Sequence, residues 1–231
     1  MIRPASFAAT AAILLATIAC EPSKSAEARA TKAEQGSSTA ASATSTAAAA
    51  VRYVTAPTGN AARYRIREQL VGLDLPNDAV GETSGVTGTI AADAKGNIIV
   101  SESRFTVDVS TLKSDKDRRD NFVRRRVLET EANPRVTFVP KSVKGVTLPL
   151  PTSGRRSFEI AGDLTVKGKT RPAVWKVDAQ FAGDRVTGAA TTSFTFADYG
   201  IDQPRVPVVL SVDETIKLEL DFTLVPAPAT R

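Results

Sequence analysis

Residues 157–181 read SFEIAGDLTVKGKTRPAVWKVDAQF, and this stretch decides the fold. Before Lys167-Gly168 the apolar side chains stand at even positions, and after this dipeptide they stand at odd positions. A period of two is typical of strands with one apolar face, and a glycine-containing dipeptide between two such runs indicates a hairpin. A turn centred on this dipeptide places both apolar sets on one face of an antiparallel pair. The pairs that it predicts are Ile160 with Trp175, Phe158 with Val177, and Gly162 with Ala173.

The same alternation recurs on both sides of this hairpin. Strong runs cover residues 104–109 and 215–224, and weaker runs cover residues 64–71, 86–91, 135–139 and 186–196. With the hairpin, these runs predict about eight strands joined mostly by short turns. One helix is predicted, from an apparent capping box at residues 114–117 to about Leu128. Because one helix cannot cover eight strands, the sheet must bury its apolar face against itself, as a barrel or a sandwich. Mostly sequential strands favour an all-β, up-and-down, eight-stranded antiparallel barrel.

Composition excludes several classes of function. The chain of 231 residues has no histidine and one cysteine, so histidine-based catalysis, histidine metal ligands and internal disulfides are excluded. A net charge of +5 is too small for a typical nucleic-acid-binding protein. Asp and Glu are numerous enough for an acid and base pair, but no spacing selects one. We therefore expect a binding or carrier protein, with no catalytic residues, no metal and no cofactor.

The N-terminus predicts export. Arg3 precedes a mostly apolar run over residues 5–19, which is too short to span a bilayer and is typical of a signal peptide. Thr17-Ile18-Ala19-Cys20 resembles a bacterial lipobox, so Cys20 is predicted to be lipidated and to anchor the protein to a membrane. The alternative is a plain secreted protein. Either way, we expect a periplasmic or cell-envelope location.

Composition also sets the predicted domain boundaries. Residues 36–50 are almost entirely Ala, Ser and Thr, and such a segment buries too little apolar surface to offset its ordering entropy. The predicted organisation is a signal peptide (1–19), a lipidated cysteine with a disordered tether (20–55), one β-barrel domain (56–226) and a flexible tail (227–231).

An ordered series of motifs resembles the YceI-like polyisoprenoid-binding family. Residues 162–172, GDLTVKGKTRP, resemble its GDLTxxGxTxP signature, and Arg119-Asp120 resembles its RD pair. Residues 86–88, 134–138 and 198–200 resemble further family motifs in the same order. The resemblance covers about residues 62–225. It implies a lipocalin-like antiparallel barrel with a long apolar tunnel, and a bound isoprenoid such as a quinone tail or polyprenyl chain.

Inward-facing apolar residues are the candidate tunnel lining. The pattern alone also fits a filled core in a structural or adhesion barrel, and it is the resemblance that favours a ligand. The candidates are Phe105, Val107, Phe158, Ile160, Trp175, Val177, Phe194, Leu218, Leu220 and Phe222.

Two arginines of the predicted helix are head-group candidates. Arg119 shares a helical stripe with Phe122 and Val123, and Arg126 lies seven residues further on the same side. An arginine on an inward stripe needs an anionic partner, which is either a lipid head group or a structural carboxylate such as Asp120. The short run of three arginines ending at Arg126 is more typical of a solvated face than of a nucleic-acid site. A homodimer is left open.

Overall fold

The described part of the chain folds into eleven strand segments and one short α-helix. The computed structural model describes residues 51–72, 74–147 and 150–228, which all belong to one compact unit, Ser45–Arg231. The strands are β1 (Val51–Thr55), β2 (Ala61–Leu70), β3 (Asn77–Thr83), β4 (Val86–Ala92), β5 (Arg104–Asp108), β6 (Arg135–Lys144), β7 (Ser153–Val166), β8 (Lys169–Ala182), β9 (Arg185–Thr195), β10 (Val209–Val212) and β11 (Thr215–Pro226). Helix α1 (Asp117–Phe122) continues into a π-helical turn, Val123–Val127.

Eight of these strands close into a barrel. The pairing runs β1-β4-β5-β6-β7-β8-β9-β11, and β11 then pairs back with β1. The other three segments, β2, β3 and β10, extend this wall. Strand β2 pairs with β11, and both β3 and β10 pair with β2. All the pairings are antiparallel. The prediction of an eight-stranded antiparallel barrel with one short helix is therefore confirmed.

The register of the central hairpin is also confirmed. Ile160 lies opposite Trp175, Phe158 opposite Val177, and Gly162 opposite Ala173. Lys167 and Gly168 both have positive φ, at 48° and 71°, which a two-residue turn of the type favoured by twisted strands requires.

The predicted start of the domain was wrong. Residues 51–55, assigned to the tether, form β1, which pairs with both β4 and β11 and closes the barrel. This strand is too short to show a clear period, and only its two neighbours define it. Strands β3 and β10 were also missed, because their sequences, NDAVGET and VLSV, do not alternate clearly between apolar and polar side chains. Cys20 and the other residues of the predicted signal and tether up to residue 50 lie outside the described residues, as do residues 229–231 of the predicted tail.

The predicted capping box was also wrong, although the extent of the helix was close. Helix α1 begins after Lys116, with no side-chain cap. Ser114 instead donates from its backbone nitrogen and its hydroxyl to Asp120 Oδ1, at 2.8 and 2.6 Å. The carboxylate of the buried Asp120 therefore fixes the entry into the helix from inside the first turn.

Helix α1 lies at one end of the barrel, which we call the helical end. Because neighbouring strands alternate in direction, this end also carries the β2–β3 turn (residues 71–76), the β7–β8 turn and the segment between β9 and β10 (residues 196–208). The opposite end carries the turns at residues 93–97, 145–152 and 183–184. The apolar faces of all the barrel strands point into the space between these two ends.

Candidate functional site

An apolar cavity of about 290 Å³ runs inside the barrel. At the helical end its wall includes Val123 and Leu128 of the helical segment and Pro204 of the loop before β10. At the opposite end its wall includes Val143 and Leu150. The strands of the closed ring supply the wall between these ends, because every second side chain of each strand points inward. The cavity therefore reaches from one end of the barrel to the other.

All ten residues predicted as tunnel lining are found in this wall. They come from β5, β7, β8, β9 and β11, and that they contact a ligand stays a prediction. The ten are Phe105, Val107, Phe158, Ile160, Trp175, Val177, Phe194, Leu218, Leu220 and Phe222.

Several large side chains of the wall were missed. Tyr53 was missed because it was placed in the tether. Phe196 was missed although it ends the predicted run 186–196 with the same parity as Phe194, and the structure places it in a 3₁₀ turn. Others lie on predicted strands with the inward parity, so the period alone could have found them. These are Tyr64, Ile66, Phe138, Leu164, Val166, Phe181, Val186 and Ile216.

Aromatic rings lie flat against the wall where a neighbouring strand has a glycine. A Cβ at Gly81 would overlap the ring of Tyr64, and a Cβ at Gly88 would overlap the ring of Phe105. A Cβ at Gly162 would meet the ring of Phe138 at 2.8 Å. Glycine has no side chain, so each ring covers a neighbouring backbone instead of standing into the lumen. The space beside Gly162 is therefore filled by close packing, and packing of this kind leaves space at the centre.

Trp175 places a polar atom within this apolar wall. Its side chain is 9% exposed and packs against Phe138, with ring centroids 5.9 Å apart. The buried indole Nε1 has no hydrogen-bond partner among the described residues. Indole nitrogen can only donate, and a buried donor without an acceptor is costly. The wall therefore contains one donor that has no acceptor and that is itself enclosed by protein atoms.

A group of charged residues lies beside Tyr64 at the helical end. Arg119 Nη2 is 2.7 Å from Glu68 Oε1, and the same guanidinium pairs with Asp115. Burial raises the pKa of Tyr64 to about 12, with smaller effects from Arg119 and the nearby carboxylates. The partly buried phenol therefore stays neutral at physiological pH.

The two head-group candidates do not line the cavity. Arg119 pairs with the carboxylates of Glu68 and Asp115, as expected for an arginine with a structural partner. The partner suggested from the sequence, Asp120, instead accepts a hydrogen bond from Ser114. Arg126 is exposed at the surface of the π-helical turn. A head-group role for either arginine stays a prediction.

Other kinds of site find no support in the described part of the chain. No group of three or more Asp, Glu, His or Cys side chains is arranged there to hold a metal ion. Within residues 51–228, apart from the gaps at residues 73 and 148–149, no helix combines the length and the apolar character needed to cross a membrane.

A closed antiparallel barrel with an apolar lumen defines a lipocalin-like binding protein. The chain belongs to the YceI-like domain family, whose match covers residues 53–224. The fold of this family is a binding fold.

Curated relatives are distant. A UPF0312 protein of Pseudomonas putida (strain GB-1) is 29% identical over 111 residues, which are 44% of this chain and 54% of that protein. A UPF0312 protein of Shewanella sp. (strain ANA-3) is 28% identical over 149 residues, which are 61% of this chain and 73% of that protein. The match thus spans about half the length of the Pseudomonas putida relative.

Solved structures share the fold. A polyisoprenoid binding domain from Saccharophagus degradans, described as implicated in plant cell wall breakdown, has a TM-score of 0.60 at 12% identity and covers 77% of this chain and 99% of that domain. BcnA of Burkholderia cenocepacia has a TM-score of 0.53 at 14% identity, covering 71% of this chain and 95% of that chain. At these identities the likeness concerns the architecture alone.

Proposed function

We propose that this protein holds a polyisoprenoid or quinone-type lipid in the barrel and carries it through the cell envelope. The observation that supports this most strongly is the cavity that extends between the two ends of the barrel inside an almost wholly apolar wall. Each methylene that leaves water for such a wall gains about 0.8 kcal/mol. A bilayer offers nearly the same gain, so exchange between bilayer and barrel costs little net free energy.

The unused donor of Trp175 narrows the class of ligand. A pure hydrocarbon leaves indole Nε1 without an acceptor, whereas a carbonyl, hydroxyl or ether oxygen accepts its proton in a water-free site. We therefore propose that the Trp175 side chain shifts on binding to present this donor, and that the ligand is an isoprenoid with an oxygen atom near Trp175, as a quinone or a polyprenol has.

Export and anchoring form part of the same proposal. The segment before the barrel has the pattern of a signal peptide ending at Cys20, and a diacylated cysteine would keep the carrier at a membrane. A tether of about 30 residues, at up to roughly 3.3 Å per residue, lets the barrel turn either end toward the bilayer.

The direct test is mass spectrometry of lipid extracted from the purified full-length chain, followed by titration of the emptied protein with a quinone. A stoichiometric long-chain lipid and saturable uptake are expected. An empty chain that takes up no quinone would instead support a structural or adhesion barrel.

A matched pair of variants locates the binding. Ala190 lines the cavity and Val174 is exposed on the outside of β8, so Ala190→Phe should abolish uptake while Val174→Phe should leave it unchanged. Circular dichroism checks that both variants are folded. If Ala190→Phe does not fold, Leu220→Ala, which enlarges the lumen, should alter the chain-length preference instead.

A further inference from the structure

Exposed apolar side chains are concentrated at one place on this molecule. In the part of the chain that the structure describes, six large apolar side chains are exposed, and four of them lie in two neighbouring loops. These are the β2–β3 turn and the segment that leads into β10 and includes its first residues, up to Leu210. Leu75 is 77% exposed and Leu210 66%, with Val71 and Val208 between 50 and 60%.

These four side chains form one surface, which we call the apolar tip. The backbone nitrogen of Val71 donates to the carbonyl oxygen of Val208 at 3.1 Å, so the two loops are joined. Strand β10 pairs with the end of β2 beside them. Single exposed apolar residues are ordinary on protein surfaces, whereas a cluster on the tips of joined loops marks an interaction site.

The apolar tip stands at the end of the barrel where the cavity meets helix α1. Pro204, in the loop that supports the tip, lines the cavity, as do Val123 and Leu128 of the helical segment. Arg119 of α1 is bound to Glu68, which lies two residues before the end of β2. A binding partner that covers the apolar tip therefore also faces the helical end of the cavity.

The helical segment exposes three arginines, alongside the exposed carboxylates of Asp117 and Glu131. Arg118, Arg125 and Arg126 are exposed, and none of them forms an ion pair with a described residue. Arg205 adds a further exposed cation beside the tip. The loops themselves carry Asp74 and Asp202, so the positive charge at this end is local to the arginines and does not extend over the whole end. Apolar loop tips next to unpaired arginines match an anionic bilayer, which takes apolar side chains into its interface and binds cations through its head groups.

We propose that the helical end is a docking face for the surface of an anionic lipid bilayer, with the apolar tip inserted and the three helical arginines on the head groups. This inference extends the proposed lipid carrier, because docking would bring the helical end of the cavity against the membrane that supplies or receives the ligand. It does not depend on Cys20, which would act only as a tether.

The test uses the full-length chain with Cys20→Ser, emptied of lipid. A single new cysteine at Leu75→Cys carries an environment-sensitive nitrobenzoxadiazole label, and a matched chain carries it at Ala94→Cys, an exposed residue at the opposite end. Both are mixed with vesicles of equal parts phosphatidylcholine and phosphatidylglycerol. The label at residue 75 should shift to the blue and be quenched by brominated lipid, while the label at residue 94 should not respond. No response at residue 75, or equal responses at both positions, would overturn the proposal.

Charge is tested separately with two triple variants of equal net charge. Changing Arg118, Arg125 and Arg126 to Gln should weaken vesicle binding roughly 10- to 100-fold. Changing Lys95, Lys176 and Arg185 to Gln, all exposed away from the helical end, should have little effect. Equal losses in both variants would overturn the role of the helical arginines.

Two further outcomes are distinguished. If the label at residue 75 responds to protein concentration without vesicles, and sedimentation shows a dimer, a second copy covers the tip and the bilayer proposal is overturned. Because the label is read on emptied protein, insertion without any lipid uptake would support docking and reject the carrier. Lipid uptake without insertion would support the carrier and reject docking.

Discussion

Arg119 Nη2 of helix α1 lies 2.7 Å from Glu68 Oε1 of strand β2, and the Glu68 side chain is only 8% exposed. The pair joins the helix to the inner face of the barrel wall, because Glu68 continues the inward parity of Tyr64 and Ile66. A second carboxylate, Asp115, holds the other side of the guanidinium. The helix is thus fixed across the barrel end by charge as well as by packing.

Removing one partner of this pair should be costly. We expect Arg119→Met to lower the free energy of unfolding by about 3 kcal/mol, because it leaves the Glu68 carboxylate buried and unpaired. The double variant Arg119→Met with Glu68→Met should recover a large part of this loss. Urea unfolding followed by circular dichroism measures both. Arg67→Gln, which breaks an exposed pair with Asp78, is the control and should cost less than about 1 kcal/mol. Equal losses for Arg67→Gln and Arg119→Met would contradict this account.

Trp175 should distinguish oxygen-bearing ligands from hydrocarbons. Trp175→Phe keeps an aromatic side chain but removes the donor, so affinity for a polyprenol should fall roughly 3- to 10-fold. Affinity for a hydrocarbon of the same length should stay nearly unchanged. Competition with a fluorescent isoprenoid measures both affinities.

Spectroscopy gives an independent readout of the same contact. Trp175 is the only tryptophan of the chain, so the ultraviolet resonance Raman band that reports indole hydrogen bonding arises from this residue alone. The band should move when the alcohol binds and stay fixed when the hydrocarbon binds. The same band position with both ligands would argue against an oxygen atom at Trp175.

Replacing a wall glycine by alanine should have different effects at Gly162 and at Gly88, because the added methyl group meets different neighbours. A Cβ at Gly162 would overlap the backbone oxygen of Val139, which cannot move without distorting the strand pairing. A Cβ at Gly88 would overlap only the ring of Phe105, which can swing into the lumen. We therefore expect Gly162→Ala to lower the free energy of unfolding by about 2–3 kcal/mol. Gly88→Ala should lower stability less and reduce ligand capacity. Thermal unfolding and quinone titration of both variants decide between these effects, and the reverse ranking in stability would refute them.

Tyrosine ionisation should report burial across the barrel. Burial raises the pKa of Tyr64 and of Tyr199 to about 12, and it also raises the pKa of Tyr53, with a smaller contribution from Asp184. These are the three tyrosines of the chain. When ionisation is followed by the absorbance of tyrosinate, the tyrosines of the folded protein should therefore ionise at a higher pH than those of the unfolded protein, which ionise near pH 10.

The same shifts predict how stability depends on pH. Phenols stay neutral in the folded chain at pH values where the unfolded chain has already lost its protons. The contribution of Tyr64 to the free energy of unfolding is therefore fully present below pH 10 and is lost as pH rises toward about 12. Tyr64→Phe should make that loss smaller. An unchanged slope in Tyr64→Phe would show that other groups cause it.

Local periodicity was sufficient for most of the wall. The alternation of apolar residues in β5, β7, β8, β9 and β11 was enough to predict ten inward-facing side chains, and all ten line the cavity. The turn at Lys167-Gly168 fixed the register of its hairpin because a two-residue turn leaves only one way to pair two alternating strands. The short segments β1, β3 and β10 could not be found in this way, since each is defined by its neighbours more than by its own pattern.

By itself, the sequence determined most of the alternating strands and the side chains that face inward, because alternation depends only on neighbouring positions along one chain. Tertiary structure alone decided that these side chains leave a cavity, since the space at the centre depends on rings from one strand lying over glycines of the next. It also decided that Arg119 faces Glu68 and that Val71 meets Val208. Such contacts join residues far apart in the chain, and no local pattern contains them.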